Sequence, residues 1–105
     1  MLSAHPLPTR LKQAREAKGF TQTELGLRIG LDISVASSRM NHYEKGRHLP
    51  DYTMLQKMAD ELGVPVAYFY CDSDEMADLL MSFHNLTPEQ KKQVIDFVNK
   101  QKISG

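Results

Sequence analysis

Only one cysteine, Cys71, occurs in the sequence, so no disulfide can close within the chain. That usage suits a reducing cytoplasm, which is where the chain is expected. Nowhere do apolar residues run on for the roughly 18 positions a membrane span needs. The opening MLSAHPLPTR also lacks the apolar stretch of a signal peptide. The four histidines, His5, His42, His48 and His84, are scattered. None stands beside cysteine or carboxylate at a metal-ligand spacing, so neither a metal nor another cofactor is expected. Cys71 has no histidine near it in sequence, and no G-x-x-x-x-G-K-S/T loop occurs. Without a nucleophile and base, paired carboxylates or a phosphate loop, an enzyme is not expected. Internal repeats and low-complexity segments are missing as well, and no separate domain for a small-molecule ligand can be picked out.

Net charge is absent too: 13 Lys/Arg balance 13 Asp/Glu. The distribution is uneven. Residues 1–50 carry eight basic and four acidic side chains, a balance of +4; residues 51–105 carry five and nine, a balance of −4. A basic face can therefore sit on a neutral molecule. At 105 residues and 41% hydrophobic, the chain is one small domain, or a compact domain with an appendage.

What is present is organised around residues 21–44. Thr21 and Glu24 form a T-x-x-E capping box, so a helix starts there. Leu25 and Ile29 share one side of it, and Gly30 supplies the stop. A second segment places Ala36, Met40 and Tyr43 on one face. Ser37, Ser38, Arg39, Asn41 and His42 lie mainly off that face. Two short helices joined by a turn, the second showing small and hydrogen-bonding side chains outward, have the layout of a helix-turn-helix reader.

Before this pair, residues 1–8 hold two prolines and read as a flexible arm. Thr9 is placed to cap a helix through about Lys18, with Leu11 and Ala14 inward and Gly19 as its end. Phe20 takes the staple position before the Thr21 cap, in reach of Leu25. After the pair comes a basic, proline-closed loop, Lys45-Gly46-Arg47-His48-Leu49-Pro50. Asp51 caps a helix to Leu62 whose stripe is Leu55, Met58, Ala59 and Leu62; Gly63 ends it. A short apolar helix through Tyr70 would close a five-helix unit. Asp72 and Glu75 suggest another box, opening a helix to about His84. Thr87-Pro88-Glu89-Gln90 is a strong start signal for the last helix. This final hairpin displays Leu79, Leu80, Phe83, Val94, Ile95 and Val98, more apolar surface than two lone helices can hide. A homodimer through those six residues is therefore expected.

From Arg10 to about Tyr70, roughly three fifths of the chain, the sequence resembles the lambda-repressor-like helix-turn-helix family, also called the xenobiotic-response-element (XRE) family. The matching residues are Arg10-Leu11, Phe20-Thr21-Gln22, Glu24-Leu25, Gly30, Tyr43-Glu44-Lys45-Gly46, Pro50 and Leu62-Gly63-Val64-Pro65. The resemblance implies an all-α fold: a five-helix DNA-binding domain over residues 9–71, followed by a helical dimerisation segment over 72–105. It implies base contacts from Ser37, Ser38, Arg39, Asn41 and His42. The chemistry agrees, since Asn can pair with adenine, Arg with guanine and Ser with several groups. It implies that Gln22 meets phosphate and that Arg15 pairs with Glu44. Thr21, Ser34, Lys45, Arg47 and His48 flank the reader and are further candidates for phosphate contact. The stretch between Gly30 and Tyr43 is longer than family members usually have, which leaves open which of residues 34–38 enters the groove. The run S-S-R-M-N-H-Y-E-K-G-R-H-x-P is similar to controller proteins of restriction-modification systems. The partners implied are a (pseudo)palindromic double-stranded operator, a second copy of the chain and RNA polymerase. The alternative is a protein-binding module of the antitoxin kind, whose hairpin takes up another protein.

Overall fold

Six α-helices and one 3₁₀ turn make up the structure, a computed structural model that describes residues 5–103. No strand occurs among the described residues, and no helix is long and apolar enough to cross a membrane. α1 spans Leu7–Ala17, α2 Gln22–Arg28, α3 Ala36–Glu44 and α4 Tyr52–Leu62. The 3₁₀ turn Val66–Tyr70 follows, then α5 Asp74–His84 and α6 Pro88–Ile103.

α1 starts two residues before the expected Thr9 cap. Pro6 and Pro8 are tolerated because the first turn has no intrahelical partner for their missing N–H groups. His5 Nδ1 accepts the Leu7 N–H at 3.1 Å. Leu7 is buried in the core, so the expected arm of residues 1–8 is not an arm at residues 7 and 8; residues 1–4 lie outside the described residues. The α2 box forms as the spacing requires: Thr21 Oγ1 accepts the Glu24 N–H at 3.0 Å, and Glu24 accepts the Thr21 N–H at 2.8 Å. Hydrogen bonding to the Thr21 backbone N–H first, and to the Thr21 hydroxyl second, holds the Glu24 carboxyl below its ordinary pKa. α2 ends at Arg28, and Gly30 turns the chain at φ +94°. Phe20 is half-buried against the core, with the Arg28 guanidinium 4.4 Å above its ring.

Asp51 caps α4 through the Met54 N–H, and Gly63 closes it at φ +69°. The cap of α5 differs from expectation. Ser73, not Asp72, accepts the Met76 N–H, at 3.1 Å. Asp74 in the first turn of α5 instead reaches Arg10 Nη1 at 2.8 Å. Arg10 is buried, and its Nε donates to the Cys71 carbonyl at 3.0 Å. Leu11 and Ala14 are the expected inward residues; Leu7 and Arg10 complete the same i, i+3, i+4, i+7 stripe, and the guanidinium is tolerated there because it satisfies a carbonyl and a carboxylate at the α1–α5 junction. α6 opens on the Thr87–Gln90 box, closed in both directions.

One core holds Leu11 of α1, Leu25 of α2, Met40 of α3, Leu55 and Met58 of α4, and Phe69 of the 3₁₀ turn. α5 adds Ala77 to it, while none of the described residues of α6 is buried.

Candidate nucleic-acid interface

α2 and α3 meet closely because of two small residues. A Cβ placed on Gly26 would lie 2.8 Å from the Ala36 Cβ and 3.0 Å from the Ala36 backbone. The missing side chain lets the two helix backbones touch, which fixes the angle at which α3 is presented. Ala36, Met40 and Tyr43 lock the inner face of α3 into the core. Ser37, Ser38 and Arg39 are exposed on the other side, and Asn41 and His42 are half-buried. Ser38 Oγ donates to the Val35 carbonyl at 3.2 Å.

The turn before α3 is built by Asp32. Its backbone carbonyl accepts the N–H groups of Val35 and Ala36 at 3.0 and 2.9 Å. Its carboxylate accepts the Ser34 N–H at 2.9 Å and also the Ser34 hydroxyl. Both Ser34 bonds, the hydroxyl's first, hold the Asp32 carboxyl below its ordinary pKa. Ile33 stands on the crest of this turn, 66% exposed.

Glu44 is the only acid on α3, and it is neutralised. Arg15 grips it with Nε to Oε2 at 2.6 Å and Nη2 to Oε1 at 3.0 Å, and a third N–H meets the Phe20 carbonyl at 2.8 Å. The side chains are 11% and 4% exposed. The hydrogen-bonded carboxylate holds the Arg15 pKa above its ordinary value, against the opposing effect of burial. Gln22, at the first position of α2, joins this pair. Its amide donates to Glu44 Oε1 at 3.2 Å and to Asn41 Oδ1 at 3.3 Å. Arg15, Glu44, Gln22 and Asn41 thus form one chain of hydrogen bonds from α1 to the outer side of α3. The Arg15–Glu44 contact is the one that the family resemblance implies. The Gln22–Asn41 link has no signal in the sequence, because the residues are 19 positions apart and on different helices.

Lys45, Arg47 and His48 are exposed in the loop after α3, and the His42 and His48 rings lie 6.0 Å apart. Thr21 is exposed at the α2 cap and Ser34 at the turn. Cationic groups thus flank one end of a polar helix face and hydroxyls the other, with the one carboxylate of α3 compensated from behind. An arrangement of this kind suits a polyanion whose floor offers hydrogen-bonding groups.

Comparison with known proteins agrees with this geometry. The helix-turn-helix family model HTH_3 matches residues 11–69. Among solved structures, the crystal structure of the transcriptional regulator BswR is similar, with a TM-score of 0.85 and 45% identity. The match covers 90% of this chain and 93% of that one, so it takes in most of the α5–α6 hairpin beyond the family model. A comparison with curated proteins returns no match. The chain belongs to the XRE-type helix-turn-helix family of DNA-binding transcriptional regulators.

Proposed function

We propose that the chain regulates transcription as a homodimer on a (pseudo)palindromic operator, with α3 of each copy in the major groove. The observation that carries this is the outer face of α3: polar, exposed, free of uncompensated acid and held rigidly by the Gly26–Ala36 contact. In this reading Arg39 and Asn41 make the most discriminating base contacts, each able to bond two acceptors or a donor and acceptor on one base. Ser37, Ser38 and His42 complete the base-reading set. Lys45, Arg47 and His48 meet phosphates on one side of the groove; on the other Thr21, Gln22 and Ser34 do so, Gln22 and Ser34 by exchanging a donor that in the free protein goes to Glu44 and to Asp32. Gln22 has a second role, since its amide fixes which way Asn41 turns its oxygen.

Support for the dimer comes from the hairpin. Leu79, Leu80, Phe83, Val94, Ile95 and Val98 line an open apolar groove of about 230 Å³ between α5 and α6. Leu79, Ile95 and Val98 are each about half exposed. The radius of gyration is 15.9 Å, against about 13 Å for a compact chain of 100 residues. α6 therefore stands away from the body with its apolar stripe uncovered, and a second copy would cover it by presenting the same stripe. A twofold axis there sets two reader helices about 34–36 Å apart, one turn of DNA, or a multiple of it. A controller role in a restriction-modification system rests on the 37–50 segment alone, and the genes beside the recovered operator would decide it.

The test is selection of bound duplexes from a random pool, followed by binding of the recovered site to Arg39→Ala and Asn41→Ala. A symmetric motif is expected, with each variant losing about 1–3 kcal/mol and relaxing one base position. If both variants bind as tightly and as selectively as wild type, α3 is not the reader.

A further inference from the structure

Ile33 is the anomaly on this surface. At 66% exposure it is the most exposed large apolar side chain among the described residues. It sits three residues before a helix whose outer face is otherwise hydroxyls, amide, imidazole and guanidinium. Nor is it on a slack loop. The Asp32 carbonyl accepts the N–H groups of Val35 and Ala36, and the Asp32 carboxylate accepts that of Ser34. The backbone on both sides of Ile33 is thereby fixed. Leu31 behind it is half-buried against the core, and Val35 ahead of it is half-buried. The inward apolar positions of the turn are thus occupied by these two, and Ile33 is left on the outside.

The start of a reader helix is the part that goes deepest into the major groove. Base edges there present hydrogen-bonding groups at every pair, with a single apolar exception, the C5-methyl of thymine. A β-branched side chain on a hydrogen-bonded turn has little conformational freedom to lose on meeting such a methyl. From these observations we infer that Ile33 is a specificity residue that reads a thymine by apolar contact with its C5-methyl group. The inference rests on the proposed groove binding of α3. It adds a position that hydrogen-bonding logic overlooks, because isoleucine has nothing to donate or accept.

The experiment uses the full chain and the duplex recovered from the random pool. Each thymine of one half-site is replaced in turn by deoxyuridine, which removes the methyl group and keeps every hydrogen-bonding group. Wild type is expected to lose about fourfold in affinity at one thymine near the start of α3, the worth of one buried methyl. Ile33→Ala should bind the thymine and deoxyuridine duplexes equally. Its side chain is exposed and packs no core, so its unfolding midpoint should match wild type. Selective binding with no sensitivity to any methyl overturns the role of Ile33 and leaves α3 as the reader. Methyl sensitivity that persists in Ile33→Ala overturns it as well. No selective binding to any duplex overturns both readings together.

Discussion

Arg15 and Glu44 are 29 positions apart, yet they settle how α3 faces outward. A nearly buried ion pair adds little net stability, because desolvation offsets the Coulomb attraction; losing one partner is another matter. Glu44→Ala would strand the Arg15 guanidinium at 11% exposure and remove one of two acceptors of the Gln22 amide. The expected cost is about 3 kcal/mol in urea unfolding. Glu44→Gln, which keeps an acceptor oxygen, should lose less. Equal stability of the alanine variant and wild type would show that the pair carries nothing. Single residues are also where the sequence is most and least legible. Caps such as Thr21, Asp51 and Thr87 are legible because donor and acceptor lie three residues apart on one chain segment. At Asp72-Ser73 two capping residues compete, and Asp72 with Glu75, the pair that the spacing suggests, loses to Ser73. Gln22 with Asn41 is invisible in the sequence, since no local rule relates one helix's first residue to another helix's flank.

Between elements, the contact that matters most is made by a residue with no side chain. Helix propensity makes Gly26 a fault: alanine in a helix interior is favoured over glycine by about 1 kcal/mol. From the sequence alone Gly26→Ala should stabilise α2. The packing reverses the sign. A Cβ 2.8 Å from the Ala36 Cβ and 3.0 Å from backbone atoms cannot be absorbed by a flexible side chain, so α2 and α3 must part. Overpacking of this kind typically costs about 1–3 kcal/mol, more than the propensity gain. Gly26→Ala is therefore expected to lower the unfolding midpoint and to weaken operator binding without changing any DNA-facing residue. Adding Ala36→Gly should restore part of both, as it removes the nearest atom. A Gly26→Ala protein as stable as wild type would mean that the helices are not held at this contact. Element boundaries otherwise follow from the chain's local signals, the starts of α1 and α5 being the exceptions. At the first, prolines that read as irregular chain are first-turn residues of a helix.

Across the molecule, the two halves of opposite charge share one core, and among the described residues only α6 adds no buried residue to it. The hairpin carries the open apolar groove, and α3 with the loop after it carries the exposed Arg39, Lys45 and Arg47. Ile95→Asp combined with Val98→Asp places two charges on α6 residues that are already about half exposed. The monomer fold should persist, with unchanged helix content by circular dichroism. Sedimentation should report one copy in place of two. Operator affinity should fall although every DNA contact is intact, because the second half-site is no longer tethered to the first. A dimer that survives both substitutions would refute the hairpin as the interface. A folded monomer that still binds two half-sites cooperatively would place the coupling elsewhere.

Most of the helices and their limits, and the inward faces of α2, α3 and α4, can be read from the order of residues, whereas α5 turns only Ala77 fully inward and α6 buries none of its described residues. The legible features follow from capping chemistry, glycine and proline stops and a 3.6-residue period, all of which act within a few positions of one another. The family resemblance also points to the reader helix and to the Arg15–Glu44 pair. Other features arise only where the helices meet. Packing brings Gln22 to Asn41, draws Arg10 inward to Cys71 and Asp74, makes Gly26 a necessity and leaves Ile33 outside on a rigid turn. Each of these depends on the distance and angle between helices, which are set by the shape of the shared core and not by any short stretch of chain.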